Sequence, residues 1–192
     1  ILEAACDQIK VWEASEATRH LVLAVNVSAR QLASDEFVAQ VEKLLRSTGI
    51  TPSRLKLEIT ESMMLGDVEA VIRIIRQLKA LGVSFSMDDF GTGYSSLQYL
   101  KRLPLDQLKI DQSFVHDITT DSSDQALVGT IVAMAQSLRL STIAEGVETQ
   151  AQRALLALQG CRNFQGYLFS RPVPIAAFAD VLQRHGRADG PA

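Results

Sequence analysis

VSFSMDDF, residues 83–90, reads as a short apolar strand that ends in two neighbouring carboxylates, and Gly-Thr-Gly follows it directly. Successive side chains of a strand point to opposite faces, so Asp88 and Asp89 can face one site only if the chain turns there. Gly91 and Gly93 are predicted to supply that turn. A divalent cation between the carboxylates would turn their repulsion into attraction. Taken alone, the pair fits a capped turn at a solvated strand end equally well.

The same order of strand, loop and amphipathic helix recurs along the whole chain. The predicted strands are 21–28, 55–60, 83–90, 107–111, 141–148 and 163–169. The predicted helices are 1–14, 37–49, 67–82, 95–103, 124–139, 149–160 and 175–186. This alternation favours parallel strands covered by helices, in an open doubly wound sheet or a closed barrel. No GxGxxG or GxxxxGKS segment follows the first strand, which favours the barrel. The predicted fold class is therefore α/β, a TIM-like (β/α) barrel.

The strand count is lower than such a barrel needs. A closed barrel has about eight strands in at least ~200 residues, whereas six strands are predicted in 192 residues. The first helix also begins without a starting Met or an N-cap residue. We therefore expect one or two strands upstream of Ile1. Residues 1–186 are predicted to form a single domain that lacks its N-terminal strand, and residues 187–192 a frayed tail.

Composition limits the partners and the compartment. A net charge of −3 and a pI near 5.6 give no broad basic surface, which argues against duplex DNA or RNA and anionic membranes as partners. Cys6 and Cys161 lack metal-ligand spacing, so both are predicted to be reduced core thiols. No apolar run is long enough to span a membrane and no signal peptide is recognisable. A cytoplasmic domain is predicted.

A polar or charged side chain stands at or near the C-terminal end of every predicted strand, where barrel enzymes carry their chemistry. These residues are Asn26, Glu58, Asp88, Lys109, Glu145 and Gln165. Amide and carboxylate oxygens suit Mg²⁺ or Mn²⁺ better than zinc. Two such cations would suit phosphodiester hydrolysis, with Lys109 or Glu145 orienting or deprotonating the attacking water. Metal-assisted aldol or enolisation chemistry would use a similar set, and spacing does not separate these reactions.

Five segments carry a resemblance to a known family. AVNVSARQL, LKLEITES, MDDFGTGYSSLQYLKRLPLDQLKID, AEGVET and FQGYLFSRP occur in this order, and together they closely resemble the EAL-domain family of cyclic di-GMP phosphodiesterases. The resemblance extends from Ile1 to about Phe178. It implies a TIM-like barrel with an antiparallel first strand, two Mg²⁺ or Mn²⁺ ions, and hydrolysis of cyclic di-GMP to linear pGpG.

The resemblance also implies a role for each site residue. The implied metal ligands are Asn26, Glu58, Asp88 and Asp89, with Asp88 bridging the two ions and Asp89 holding the second. The implied catalytic residues are Lys109 and Glu145, which would position or activate water, and Glu61, which would hold the DFGTG loop in shape. The implied substrate-binding residues are Gln165, Glu148 and Asp111.

One departure from the family bears on activity. The Glu-Ala-Leu motif that names the family does not occur here in a matching context. We expect the strand that carries it, with its metal-binding Glu, upstream of Ile1, together with sensory or diguanylate-cyclase-like domains and, in some arrangements, a membrane anchor. A homodimer that uses Tyr94 and residues 95–103 is compatible with the resemblance. The alternative function is a receptor that binds cyclic di-GMP without hydrolysing it, and the retained ligand set favours the enzyme.

Overall fold

The structure, a computed structural model, describes residues 1–34, 36–91 and 97–185, excepting the side chains of residues 65, 97, 184 and 185. Gly93, Tyr94 and the predicted tail at 187–192 lie outside these ranges. The strands are β1 (Leu23–Asn26), β2 (Leu55–Thr60), β3 (Ser84–Phe90), β4 (Gln107–Ile110), β5 (Ser141–Ala144) and β6 (Asn163–Phe164). The α-helices are α1 (Leu2–Glu13), α2 (Ala29–Leu32), α3 (Glu36–Thr48), α4 (Val68–Ala80), α5 (Leu97–Leu100), α6 (Gln112–His116), α7 (Ser122–Ser137), α8 (Gln150–Leu158) and α9 (Phe178–His185). Short 3₁₀ turns lie at Pro52–Arg54, Glu61–Leu65 and Ile175–Ala177.

The chain divides into two compact units. The first comprises Ile1–Lys109 and Met134–Ser141, and the second comprises Ile110–Ala133 and Thr142–Ala192. The first unit therefore holds β1 to β3 and most of β4. The second holds α6, most of α7 and β5, and all of β6, α8 and α9.

Strand order in the first unit follows chain order from β1 to β4. β1 pairs with β2 and β2 with β3, both in parallel, which brings Asn26 beside Glu58 and Glu58 beside Ser86. On β2 the apolar side chains alternate with polar ones, and Leu55, Leu57 and Ile59 are fully buried. This period of two gives the sheet one apolar face and one polar face.

Helix α4 shows how the sequence forms the layer that contacts this sheet. Asp67 caps its first turn by accepting a hydrogen bond from the amide of Ala70 at 3.0 Å. Apolar residues at helical spacing bury one side of the helix, including Ile72, Ile75 and Leu78. The helix ends just before Gly82, which has a φ of +96°.

The second unit is built around the parallel pair β5 and β6, in which Ile143 lies opposite Asn163. Helix α8 begins with a capping box, because Thr149 and Gln152 exchange hydrogen bonds between their side chains and backbone amides. The buried core of this unit includes Ile110, Val115, Ile118, Val128, Ile131, Val132, Ala144, Val147, Leu156, Cys161 and Val181.

The six predicted strands all occur, but several predicted elements are too long, including the strand predicted over 21–28, which is only Leu23–Asn26. Strand β5 stops at Ala144 because Gly146 has a φ of +67°, and the predicted strand at 163–169 stops at Phe164 because the chain turns at Gly166. The helix predicted over 95–103 is described only as Leu97–Leu100 and gives way to a turn before Pro104.

Three further sequence predictions can be compared with the structure. Cys6 and Cys161 are free and buried, as predicted. Helix α1 begins without a capping side chain, also as predicted. Within residues 1–34, 36–91 and 97–185, the structure has no helix with both the length and the apolar character that crossing a bilayer requires.

Candidate active site

The polar face of the first unit gathers the candidate residues of β1 to β4. Asn26 and Glu58 are register partners, and Asp88 lies two residues beyond Ser86, the partner of Glu58. Side chains in register on neighbouring strands, and those two residues apart on one strand, share a face. Asn26, Glu58 and Asp88 therefore point to the same side of the sheet.

Lys109 of β4 joins two of these side chains. Its ammonium lies 3.1 Å from Oε2 of Glu58 and 2.9 Å from Oδ1 of Asp88. The exposed fractions of the three side chains are only 7%, 12% and 14% for Lys109, Glu58 and Asp88. Charges this deeply placed are stable only when paired. The partners that the sequence required for Lys109 are thus two of the predicted metal ligands.

The first residue with a positive φ at the end of β3 is Asp89, before the predicted turn glycines. Asp89 itself has a φ of +54°, an unusual conformation for a residue with a side chain, and Gly91 follows with a φ of +99°. The amide of Asp89 donates to Oδ1 of Asp88 at 3.0 Å. Gly91 thus has the positive φ that the predicted turn requires, and the regular strand conformation is already interrupted at Asp89, inside β3. Gly93, the other glycine of the prediction, lies outside the described residues.

Glu61 lies beside the start of the DFGTG segment. It is 6% exposed, and its Oε2 accepts a hydrogen bond from the amide of Gly91 at 3.3 Å. Among the described residues its Oε1 is buried and has no hydrogen-bond partner. A buried carboxylate that binds the backbone of Gly91 is suited to fixing the path of the chain after β3.

Glu145 and Gln165 immediately follow the two strands of the second unit. The amide of Glu145 donates to the carbonyl oxygen of Ile110 at 3.1 Å, and the amide of Gln165 donates to the carbonyl oxygen of Ala144 at 2.8 Å. Gly166 makes the next step possible, since a Cβ there would lie 2.2 Å from the carbonyl oxygen of Val147. The backbone after both strands is therefore fixed by hydrogen bonds and close packing.

Asp111 and Glu148 lie near one cleft of the second unit. Asp111 caps α6, its carboxylate accepting from the amide of Ser113 at 2.9 Å. The amide of Glu148 donates to Oε1 of Gln152 at 2.8 Å, which leaves its exposed side chain at the cleft. The cleft has a volume of about 420 Å³ and is lined by Gln112, Ser113, His116, Asp117, Gly146 and Glu148.

Three functional neighbours were missed from the sequence. Ser86 is fully buried and its hydroxyl donates to Oε1 of Glu58 at 3.3 Å. Lys56 donates to Oε1 of Gln107 at 2.8 Å on the same face of the sheet. Burial lowers the pKa of Lys56, while Glu58 and Asp106 raise it and Lys109 lowers it further. Strand register could have indicated these neighbours, because each lies one pleat from a predicted site residue.

The donor chemistry of this face fits a hard divalent cation. Asn26, Glu58 and Asp88 offer only oxygen atoms, which Mg²⁺ and Mn²⁺ prefer. Glu58, Asp88 and Lys109 together carry a net charge of −1, which favours a cation there. Within the described part of the chain, no group of three or more His, Cys, Asp and Glu side chains is arranged to hold a metal ion. The two carboxylates share an ammonium instead.

Sequence comparison reveals extensive similarity to one family. The profile of the EAL domain matches residues 1–172. The chain is 46% identical over 175 residues to MucR of Pseudomonas aeruginosa, a bifunctional diguanylate cyclase/cyclic di-GMP phosphodiesterase, covering 91% of this chain and 25% of MucR. It is 43% identical to NbdA of the same species, a cyclic di-GMP phosphodiesterase, covering 96% of this chain and 24% of NbdA. It thus spans about a quarter of the length of these curated relatives.

Solved structures show the same likeness. The PaMucR phosphodiesterase in complex with c-di-GMP matches with a TM-score of 0.86 at 46% identity, covering 92% of this chain and 71% of the other. The EAL domain of Mycobacterium smegmatis DcpA matches with a TM-score of 0.90 at 38% identity, covering 95% and 82%. A manganese/cy-diGMP complex of Klebsiella pneumoniae BlrP1 matches with a TM-score of 0.78 at 31% identity, covering 89% of this chain and 44% of the other. The predicted α/β, TIM-like barrel fold class is confirmed.

Proposed function

Because this chain belongs to the EAL-domain family, we propose that it is the catalytic domain of a metal-dependent phosphodiesterase, which hydrolyses cyclic di-GMP to linear pGpG in bacterial second-messenger signalling. The observation that carries the proposal is the pairing of Lys109 with both Glu58 and Asp88 on the polar face of the sheet. Two nearly buried carboxylates held beside one cation form an anionic, oxygen-rich group. Such a group is suited to binding divalent cations that in turn bind a phosphodiester.

In this proposal Asn26, Glu58, Asp88 and Asp89 hold two Mg²⁺ or Mn²⁺ ions. When bound, such ions polarise the phosphodiester and lower the pKa of an attacking water. Ser86 donates to one oxygen of Glu58, which limits the orientations of that carboxylate. The positive φ of Asp89 interrupts the regular alternation of β3, and Asp89 would hold the second of the two ions.

The other residues are proposed to act on water, substrate and backbone. Lys109 and Glu145 would orient or deprotonate the attacking water, and Lys109 is held for this role by its two carboxylate partners. Glu61 would hold the DFGTG loop through the amide of Gly91. Gln165, Glu148 and Asp111 are proposed to meet the substrate or its surroundings, and the cleft that Glu148 lines supports its part in this assignment.

The proposed partners and location follow from the family. We propose cyclic di-GMP as the small-molecule partner, a homodimer as the assembly, and sensory or diguanylate-cyclase-like domains elsewhere in the full-length protein, whose relatives extend well beyond the matched region. A cytoplasmic location is proposed for this domain. Light scattering of the full-length protein tests the assembly, and a monomer at all concentrations with and without ligand would exclude the homodimer.

A turnover assay tests the proposed function. The full-length protein is incubated with cyclic di-GMP and Mg²⁺ or Mn²⁺, and pGpG is quantified by chromatography. Glu58→Gln and Asp88→Asn are expected to lower the rate about 100-fold or more, because each removes a ligand charge and a partner of Lys109.

Glu42→Gln is the matched control, because Glu42 pairs only with Arg46 of the same helix among its hydrogen bonds and ion pairs in the described structure. It should keep the wild-type rate. Tight binding of cyclic di-GMP by the wild-type protein with no pGpG formed under either metal would contradict the proposal and support the receptor alternative.

A further inference from the structure

A second cation lies beneath the carboxylates of the first unit. Lys56 and Glu58 are two residues apart on β2, and Gln107 and Lys109 are two residues apart on β4. Lys56 donates to Gln107 at 2.8 Å, and Lys109 donates to Glu58 at 3.1 Å. The two strands are therefore linked by two side-chain bridges, one pleat apart.

Both bridges pass over β3, which lies between β2 and β4. The β3 residues that lie under the two bridges are Ser84 and Ser86, because Lys56 is in register with Ser84 and Glu58 with Ser86. Their small side chains leave the space through which Lys56 and Lys109 reach across. The position of Lys56 is thus set by the same geometry that brings Lys109 to Glu58.

The lower bridge changes the charge of the site. Glu58, Asp88 and Lys109 sum to −1, and Lys56 adds one positive charge to this group. Gln107 is neutral and 9% exposed, so it holds the ammonium of Lys56 by a hydrogen bond and cancels none of its charge. Burial lowers the pKa of Lys56, and Glu58, Asp106 and Lys109 also act on it, so Lys56 lies within electrostatic reach of the Glu58 carboxylate.

We propose that Lys56, held by Gln107, is a positioning residue that weakens the affinity of the Glu58 and Asp88 carboxylates for divalent cations. This inference rests on the proposed function, since it concerns the same carboxylates. Residues two apart on a strand are separated by about 6.6 Å. If this backbone spacing sets the order of the distance between the ammonium and the cation, one positive charge in an aqueous dielectric raises the Kd of a divalent cation on the order of five- to tenfold.

The sign of the effect separates this role from a merely structural one. If Lys56 only stabilised the barrel through its bond to Gln107, its loss would leave metal affinity unchanged or weaken it. If its charge opposes the metal, its loss must tighten metal binding.

The test is Mn²⁺ binding to the full-length protein without nucleotide, measured by electron paramagnetic resonance or calorimetry. Lys56→Met removes the charge and keeps the length of the side chain, and Lys56→Arg keeps the charge. Lys43→Met is the matched control, because Lys43 is an exposed lysine on α3. We expect Lys56→Met to lower the Kd for Mn²⁺ about five- to tenfold, with both other variants close to wild type.

A folded Lys56→Met protein with unchanged or weaker Mn²⁺ affinity would overturn the inference and leave the proposed function intact. If Lys56→Met does not fold, Lys56→Gln decides, because it also removes the charge while keeping a polar group beside Gln107, and it must likewise tighten Mn²⁺ binding. If wild-type affinity is unaffected by Glu58→Gln, or if no Mn²⁺ binds, the metal site itself fails and the inference with it.

Discussion

At the scale of single residues, the charge balance between Glu58 and Asp88 depends on Lys109. It is the cation that lies between Glu58 and Asp88, and all three side chains are at least 86% buried. Removing one member of such a group leaves the others as uncompensated charges in a poorly solvated place. The contribution of Lys109 to the free energy of unfolding is therefore large when no metal ion is bound at these carboxylates.

Lys109→Met should destabilise the protein by about 3 kcal/mol in metal-free buffer, because Glu58 and Asp88 would then repel each other without a counter-ion. Adding Mn²⁺ should reduce this loss, since the metal would supply the missing positive charge. Urea unfolding with and without Mn²⁺ measures both effects, and Lys43→Met serves as the control. Equal stability of Lys109→Met and wild type in metal-free buffer would show that the trio is not an ion-pair cluster in solution.

The two thiols should be inert in the folded protein. Burial raises the pKa of both Cys6 and Cys161, and the negative charge of Asp7 raises that of Cys6 further. Since the thiolate is the reactive form, neither should react with a thiol reagent at about pH 8 until the protein unfolds. A colorimetric thiol assay should count no thiols in the native protein and two per chain in denaturant. Rapid reaction of a native thiol would contradict the described burial.

At the scale of elements, the loop after β6 is defined by a close approach to the loop after β5. A Cβ at Gly166 would lie 2.2 Å from the carbonyl oxygen and 2.3 Å from the amide nitrogen of Val147. Backbone atoms cannot move aside as a flexible side chain can. This contact fixes the backbone directly after Gln165, the residue that follows β6.

Gly166→Ala should cost about 3 kcal/mol or more, because Val147 would have to move with its hydrogen bonds to Gln165 and Leu168. Gly129→Ala is the matched control: this glycine lies within α7 and has open space around its missing Cβ, so alanine should stabilise by about 0.5–1 kcal/mol. Thermal unfolding compares the two variants. A neutral Gly166→Ala would show that the two loops are not packed as described.

Element types were predictable from the sequence, and element ends were not. Short segments of five to eight residues, either apolar or alternating between apolar and polar, identified every strand, because strands are short and their packing needs apolar residues. The ends of β5 and β6 depend on the backbone conformations of Gly146 and Gly166. The sequence alone does not show which glycines adopt a positive φ. Helix α2 was missed although Ser28 and Gln31 form a capping box, since it has only four residues.

The site was predictable in its residue types and less so in its contacts. Asn26, Glu58, Asp88 and Lys109 were recognisable because each stands near the end of a strand, and such ends meet at one edge of a parallel sheet. The side-chain bridges that cross Ser84 and Ser86 were not recognisable. Predicting them requires the register of β2 and β4 on either side of β3, which the sequence does not show. For the same reason Lys56 and Gln107 escaped notice.

At the scale of the whole molecule, the nature of the metal should separate binding from turnover. Ca²⁺ takes more ligands at longer and more variable distances than Mg²⁺, so it should occupy the same carboxylates and hold the attacking water poorly. We therefore expect Ca²⁺ to inhibit hydrolysis of cyclic di-GMP in competition with Mg²⁺ while preserving nucleotide binding. Full turnover with Ca²⁺ as the sole divalent cation would argue against a closely organised two-metal site.

The central claim is that Glu58 and Asp88, now bridged by Lys109, are the carboxylates that hold the divalent cations. Anomalous diffraction from crystals grown with Mn²⁺ and cyclic di-GMP tests it most directly. We predict manganese peaks bound to oxygen atoms of Glu58 and Asp88, with at least one peak lost in Glu58→Gln. Manganese bound elsewhere, with Lys109 still paired with both carboxylates, would contradict it.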